Sequence, residues 1–516
     1  MNILLVYPKV ADTFWSFKHA LRVVGRKSAF PPLGALTVAA MLPASWNKRL
    51  VDMNVRDLRD DDLVWADYVF ISAMIAQERS ARHVIERCRC LGVKIVGGGP
   101  LFYSYHDEFN EVDHLVLGEG EVSVPQFVAD LQKGSAKACY RSGEHPSLDN
   151  TPIPMWDLVN FNDYVTMSVQ YSRGCPFNCE FCDIIIMNGR VPRAKANGQM
   201  LAELDALYDR GWRGSVFIVD DNFIGHKRRV KGLLREIIRW QAEKKRRFTF
   251  FTEASVDLAE DLELMDLMVA AGFNKVFLGL ETPAEESLKE CGKAQNLRRS
   301  LAESVAIIQN HGLAVMGGFI IGFDSDPPDI FQRQVHFIQK NGIVTAMIGL
   351  LTAMPGTQLY RRLEQEGRLL FRTSGNNTDV SGSLNFIPKM DRHKIIEGYR
   401  WVMNTIYSPE MYYQRILAFL RQYRPRTETS LGQQDLYALF RSIWFLGLME
   451  GKSSGYYWKL MKEGLSKYRH SFADMVTMAI YGYHFRKLFW SPNLPFECTD
   501  WWPYDDKGVD DFNICC

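Results

Sequence analysis

Cys175, Cys179 and Cys182 fall within one stretch, Ser172-Arg173-Gly174-Cys175-Pro176-Phe177-Asn178-Cys179-Glu180-Phe181-Cys182, at the spacing C-x3-C-x2-C. Thiolates are soft ligands that suit iron–sulfur clusters and zinc. A cubane cluster carries four irons and normally takes four cysteines. Three cysteines from one loop therefore leave one iron without a protein ligand. An open coordination position is what a metal site needs to do chemistry on a bound molecule. The competing reading is a structural zinc knuckle. Such sites usually pair one C-x2-C with a second pair or with two histidines downstream, and no second pair follows here at a suitable distance.

A second set of chemically able residues lies further along: Asp220-Asp221-Asn222, Thr252-Glu253-Ala254-Ser255, Gly279-Leu280-Glu281-Thr282 and Gly317-Gly318-Phe319-Ile320-Ile321-Gly322. Carboxylates on neighbouring strand ends can accept the amino group and ribose hydroxyls of a nucleoside. Glycines let flat groups lie against the backbone. Asp221, Asn222 and Glu281 could equally be caps or internal ion pairs. Arg193 and Lys195 could hold carboxylate or phosphate groups or belong to a solvated loop. A third set precedes the cysteines. It comprises Phe30-Pro31-Pro32, Asp52-Met53-Asn54, Ser72-Ala73-Met74, Gly97-Gly98-Gly99-Pro100 and Gly118-Glu119-Gly120-Glu121. No G-x-G-x-x-G follows the first apolar run, so the pattern is not that of a dinucleotide site.

The elements that must position these groups read as two strand–helix alternations. Over residues 1–150, strands are expected at 3–6, 49–52, 68–72, 94–96 and 113–117, with helices at 33–42, 80–91 and 121–132. Such alternation predicts a doubly wound parallel sheet, whose ligand sits outside the carboxyl ends of the strands. Thr151-Pro152-Ile153-Pro154 reads as an extended linker. Over residues 151–375, strands are expected at 167–171, 216–219, 249–252, 276–280, 314–321 and 346–351. Helices should start near Gly198, Lys227, Ala259, Arg298 and Pro328. Six such units predict a partial (β/α)6 barrel with its chemistry at the carboxyl ends of the strands. Residues 376–516 are helical in pattern and rich in aromatics, most of which read as packing.

The cysteine stretch, with Phe181 before its last thiol, resembles the cluster loop of the radical S-adenosylmethionine (SAM) enzymes. In that family the open iron of a 4Fe-4S cluster binds SAM, and an electron from the cluster cleaves it to a 5′-deoxyadenosyl radical. The resemblance implies Cys175, Cys179 and Cys182 as cluster ligands and Glu253 as a ribose partner. It places Gly318 and Gly322 beside adenine, with Asp221, Asn222 and Glu281 as further SAM contacts. Residues 1–150 resemble the cobalamin-binding domain that precedes the barrel in one large class of these enzymes. On that resemblance Pro32, Asn54, Ser72, Met74, Gly98, Gly99, Gly118 and Glu119 contact cobalamin, and residues 73–77 lie beneath the corrin. Asp52-Met53-Asn54-Val55-Arg56-Asp57 departs from the D-x-H-x-x-G of methionine-synthase-like domains, so no histidine would ligate cobalt from below. Gly375-Asn376-Asn377, Asn385-Phe386-Ile387-Pro388 and Gly398-Tyr399 resemble the C-terminal extension shared by hopanoid C-2 methylases and bacteriochlorophyll side-chain methylases.

The implied fold is α/β, in three parts: a Rossmann-like cobalamin domain (1–150), a TIM-type radical SAM barrel (151–375) and a mainly α-helical C-terminal domain (376–516). The implied activity is C-methylation. The radical takes hydrogen from an sp3 carbon of a small hydrophobic substrate, a hopanoid-type polycycle or a bacteriochlorophyll-type tetrapyrrole, and methylcobalamin donates the methyl group. The implied partner is an electron donor such as flavodoxin or ferredoxin. The rival readings are a non-methylating cobalamin radical enzyme, such as a cyclase, and a regulatory or electron-transfer protein. Lys plus Arg, 61, balances Asp plus Glu, 60, over 516 residues, which gives no bulk charge for nucleic acid. The N-terminus reads as a strand rather than a signal peptide. No apolar run reaches the length of a transmembrane segment, which leaves peripheral membrane contact open. Ten cysteines in so long a chain suit a reducing, cytoplasmic protein.

Overall fold

The computed structural model describes residues 1–491 except 144, 246, 377, 380–382 and 426–432. Asn377, the aromatic run at 501–506 and the pair Cys515-Cys516 lie outside the described residues. The first sheet holds β1 (Asn2–Tyr7), β2 (Asn47–Asp52), β3 (Tyr68–Ser72), β4 (Lys94–Gly98), β5 (His114–Leu117) and β6 (Cys139–Arg141). All are parallel, in the order β2-β1-β3-β4-β5-β6. The order reverses between β1 and β3, which opens a crevice at their carboxyl ends. The sequence pattern missed β6, whose three residues alternate exposed, buried, exposed and carry no apolar run.

The second sheet holds β7 (Thr166–Val169), β10 (Ser215–Ile218), β11 (Thr249–Ala254), β12 (Phe273–Glu281), β13 (Ala314–Ile321) and β14 (Thr345–Leu350). It runs β14-β13-β12-β11-β10-β7, every pair parallel. A small antiparallel ribbon, β8 (Ser172–Arg173) with β9 (Arg193–Ala194), frames the cysteine stretch between them. β7 stops two residues short of the expected end. There the Asp220 carboxylate accepts the Tyr171 and Ser172 backbone N–H groups, each at 2.8 Å, and the Ser172 hydroxyl at 2.6 Å, so those donors leave the ladder. The expected helix near Ala259 is a 3-10 turn, Val256–Glu260, followed by helix Leu262–Ala270. Asp261 caps that helix by accepting the Leu264 N–H at 3.0 Å, the usual role of aspartate at an N-cap.

Between β14 and β7 the barrel is open, and residues 9–31 of the first unit enter the gap. Phe14 is fully buried and stacks on Phe485 of helix Phe472–Phe489 at 4.3 Å between ring centres. The C-terminal helices Arg392–Ile406 and Pro409–Gln422 pack beside β14. Tyr399 and Tyr407 donate hydroxyls to the Ile348 and Ala346 carbonyls at 3.3 and 2.6 Å. The expectation that the C-terminal aromatics are packing residues therefore holds for Tyr399, Trp401, Tyr407, Tyr412 and Tyr457, which are buried. Phe440, Trp444 and Trp458 are exposed. No described helix is long and apolar enough to cross a membrane.

Candidate active site

The cysteine loop is built from the backbone outward. Gly174 sits at φ +94°, and a Cβ there would lie 2.9 Å from the Gly189 carbonyl oxygen. Only glycine fits both the left-handed conformation and the close approach. The Gly174 N–H donates to Asp221 at 2.9 Å, as does the Asn188 amide at 3.0 Å, and the Cys175 N–H donates to the Gly189 carbonyl at 3.2 Å. At the far end Glu180 pairs with Arg362 at 2.6 Å, and its N–H donates to the Cys291 carbonyl at 2.9 Å. Asp221 is thus a brace of the loop, and both termini are fixed.

Cys179 is buried, and Cys175 and Cys182 are half-buried. Burial raises the Cys175 thiol and pushes Cys182 up to about 12. Thiols held this way ionise when a metal supplies compensating charge. The Asn222 amide nitrogen lies 3.9 Å from the Cys175 sulfur, and that of Gln295 lies 4.0 Å from the Cys179 sulfur. Amide donors aimed at sulfur are the outer-shell contacts that tune thiolate-held clusters.

Two acidic groups stand at the neighbouring strand ends in different states. Glu281 adopts φ +62°, at a register irregularity in β12, and pairs with Lys293 at 2.5 Å. Burial alone would lower the Lys293 ammonium. Glu281, with Cys179 and Cys182, more than reverses this and holds it above its ordinary value. Such a left-handed non-glycine residue is strain that the surrounding structure must maintain. Glu253 has no hydrogen bond or ion pair among the described residues. Its carboxyl is raised to about 7, first by burial and then by repulsion from Asp221 and Asp220. Asn222 bonds Ser255 at 3.1 Å. Gly318 gives room to a ring, since a Cβ there would meet Phe277 at 2.8 Å, and Gly322 turns at φ +111°.

Below the strand ends the barrel interior is lined by rings. Phe217, Phe251 and Phe277 alternate with fully buried neighbours along β10, β11 and β12. Their side chains retain accessible surface although helices cover the opposite face. Phe217 and Phe251 stack at 4.6 Å. Phe30 meets both, at 5.6 and 6.5 Å, and Trp15 meets Phe277 at 5.3 Å. The Trp15 indole N–H points at the Met347 sulfur at 3.1 Å. Residues 9–31 therefore cover the half-open face of the sheet with an aromatic cluster, which the chamber below takes as its wall together with Lys275, whose ammonium lies 5.6 Å from the Phe251 ring centre.

The first sheet offers its carboxyl edge to the same region. Gly99, at φ +91°, would place a Cβ 2.9 Å from the Ala73 carbonyl, and Gly98 would place one 3.2 Å from that of Val116. Gly118 turns at φ +82°. Met74 is exposed, and its N–H donates to Gln77, whose amide donates to the Pro8 carbonyl at 2.5 Å. Ser72 ends β3 beside these glycines, and buried Pro32 starts helix Leu33–Met41. Asn54 accepts the Val10 N–H at 2.9 Å and donates to Asp52 at 2.8 Å, and Tyr164 donates to Asp52 at 3.0 Å.

Glu119 differs from these edge residues. It is sequestered between Arg173, at 2.7 Å, and Arg193, at 2.6 Å. Arg193 therefore holds a carboxylate of the chain itself, and Lys195 does the same with Glu203; neither lies in a solvated loop. Lys293, Gln295 and the chamber rings were not singled out in the sequence. The period-two placement of Phe251 before Glu253, and of Phe277 before Gly279, was the available signal. Nothing local marks Lys293.

Residues 21–128 match the B12 binding domain, residues 169–338 the radical SAM superfamily and residues 357–491 a domain of unknown function, DUF4070. An uncharacterized methyltransferase of Synechocystis sp. is 46% identical over 454 residues, covering 87% of this chain and 84% of that protein. The hopanoid C-2 methylase of Rhodopseudomonas palustris is 32% identical over 472 residues, covering 89% of this chain and 88% of that protein. The chain belongs to the cobalamin-dependent radical SAM methyltransferases. The fold is that of the cobalamin-dependent SAM radical enzyme OxsB with aqua-cobalamin bound, at a TM-score of 0.63 and 14% identity over 94% of this chain and 80% of that one. As a radical SAM methyltransferase, the chain uses a 4Fe-4S cluster, SAM and cobalamin. Membership sets aside the regulatory and electron-transfer readings. The thiol loop and the glycine-rich sheet edge are the parts whose donor set and open backbone fit the cluster and a large corrin.

Proposed function

We propose that this methyltransferase places a methyl group on an sp3 carbon of a hydrophobic, ring-bearing substrate of the polycycle or tetrapyrrole kind, held in the barrel chamber. The observation that carries the reading is the chamber wall of Phe30, Phe217, Phe251, Phe277, Trp15 and Met347. Most of a polar substrate's donors and acceptors would go unpaired against such rings, and Lys275, over the Phe251 ring, is a cation on the same wall that could meet one anionic or carbonyl group of an otherwise apolar molecule. The name of the hopanoid C-2 methylase supports the polycycle form. In this reading Cys175, Cys179 and Cys182 hold the cluster. Glu253, a carboxylate at the end of β11 without a partner among the described residues, receives the ribose of SAM. Asn222, Gly318 and Gly322 shape the rest of that pocket, with Asp221 and Glu281 as braces behind it. Pro32, Asn54, Ser72, Met74, Gly98, Gly99 and Gly118 border the corrin, and Glu119 acts through its arginines rather than by contact. When bound, the cluster with SAM supplies the hydrogen-abstracting radical and cobalamin the methyl group.

The chain's own residues orient the substrate, exclude water with residues 9–31, and keep the two cofactors on either side of the chamber. A low-potential flavodoxin or ferredoxin supplies the electron, and the cytoplasm provides the reducing surroundings. Incubating the reconstituted protein with methyl-labelled SAM, a reductant and candidate polycycles or tetrapyrroles tests this. Label in a new C–CH3 group and 5′-deoxyadenosine in the same mixture are expected. Deoxyadenosine with no label transfer would point instead to a cyclase or rearrangement.

A further inference from the structure

Helix Gln433–Ser442 and the wide turn Ile443–Leu448 that continues it carry large apolar residues at every fourth position: Leu436, Phe440, Trp444 and Leu448. All four face outward. Phe440 is 70% exposed, Leu448 60%, Trp444 57% and Leu436 46%. Met449, at 66%, and Trp458, at 44%, extend the same surface, because the Trp458 indole donates to the Gly447 carbonyl at 3.0 Å. Fully buried aromatics occur on the neighbouring helices, so this chain does bury such residues where they serve packing. A contiguous apolar face of this kind marks an interaction site.

The surroundings of the face identify its partner. Between residues 433 and 470 there are six Lys and Arg but three Asp and Glu, in a chain whose charges otherwise balance. Lys452, Lys459 and Lys462 are exposed, and none forms an ion pair among the described residues. Glu450 and Glu463 are already matched by Arg486 and Lys467. The rim is thus basic, and its free charges flank a Phe-Trp-Leu-Met-Trp surface. Aromatic and aliphatic groups in the plane with lysines around them are the signature of a helix lying in a bilayer interface, where tryptophan settles at headgroup depth.

We propose that this face is a docking surface for an anionic lipid bilayer. It would seat the C-terminal helices in the headgroup layer without spanning it. The face also adjoins the chamber wall. Arg441 donates to the Arg22 carbonyl at 2.6 Å, and Tyr437 lies against Gly25, in the same insertion that presents Trp15 and Phe30 to the chamber. A hydrophobic molecule leaving the bilayer would meet residues 18–30 first. The docking proposal rests on exposed side chains and charge alone, so it stands or falls apart from the substrate reading.

The test is co-sedimentation of the full chain with vesicles of phosphatidylcholine alone and of phosphatidylcholine with phosphatidylglycerol. Binding is expected to the anionic vesicles, to weaken as salt rises, and to fall at least about tenfold for the combined Phe440→Ser, Trp444→Ser and Leu448→Ser variant. Cluster absorbance and circular dichroism should be unchanged, as the three side chains are on the surface. Failure of the wild type to bind either vesicle would overturn the proposal. So would undiminished binding by the variant. If the variant instead converts an oligomer to a smaller species while neither form binds lipid, the face is a contact between copies of the chain and the bilayer is the wrong partner.

Discussion

The two six-stranded parallel sheets are alike in strand number and direction but differ in what covers their faces. In the first, the interior positions of β1, β3 and β4 are buried without alternation. Helices cover both faces, as parallel sheets usually require. In the second, β10 and β11 alternate buried with half-buried residues, because one face packs on helices and the other lines a chamber. A sheet closed on both sides can present a ligand site only at its edge. A curled sheet with one open face can take a molecule inside. The difference explains why glycines and turns carry the first site, while side chains of alternating register carry the second.

The largest expected effect breaks the second site altogether. Cys179→Ala should abolish cluster absorbance, iron and sulfide content, and SAM cleavage. The first sheet, which shares no ligand with the loop, should still bind cobalamin. Loss of cobalamin binding in this variant would mean that the two sites are not separately built. Next in size is a pair of substitutions on adjacent residues of β11. Phe250 is fully buried on the helix face, so Phe250→Ala should cost about 3–5 kcal/mol of stability, read from denaturant midpoints. Phe251→Ala, on the chamber face, should cost clearly less and instead raise KM for the substrate. Equal stability losses would mean that the chamber is ordinary core.

Much of this contrast was legible in the residues. The strand–helix alternation placed the second sheet and five of the six strands of the first to within a few residues, and the cysteine spacing located the loop at the top of β7. What was not legible depended on tertiary partners. Asp221 reads only as a ligand until the Gly174 and Asn188 donors, both on its Oδ2, show that it also braces the loop. Glu119 reads as an edge residue until Arg173 and Arg193, more than fifty positions away, close on it. Lys293 carries no pattern, and its meaning comes from Glu281 beside it. Conversely Phe217, Phe251 and Phe277 look like any strand residues. Only the half-open face of their sheet separates them from core.

A smaller effect probes the edge site. Gly99→Ala forces an L residue to φ +91° with its Cβ 2.9 Å from the Ala73 carbonyl. That should destabilise the turn by about 1–3 kcal/mol and shift the 73–77 loop. We expect cobalamin affinity to drop while cluster content is retained, the mirror image of the cysteine variant. Binding titrations followed by corrin absorbance would read it. Unchanged affinity would place the corrin away from this turn.

The smallest effect concerns Glu253. Its carboxyl is raised from 4.5 to about 7 in the folded chain by burial and by Asp221 and Asp220. The folded state therefore binds this proton more tightly than the unfolded state does. Stability from this group is complete below about pH 4.5, declines as pH rises toward 7 and is lost above it. Glu253→Gln removes the ionisable group while keeping the shape. In the chain free of SAM, the variant should gain stability on the wild type as pH rises from 4.5 to 7. The gain should level off above 7 at about 1–2 kcal/mol, somewhat below the full linkage value because the carboxyl keeps partial solvent access. Saturating SAM should reverse the ranking at neutral pH, because a ribose hydroxyl bonded to the carboxylate compensates its burial, whereas the amide offers a weaker acceptor. A pH-independent difference would mean that the carboxyl is solvated like a surface group. A gain that SAM leaves untouched would take the ribose contact away from Glu253 and leave the chamber rings as the principal determinant of what the barrel holds.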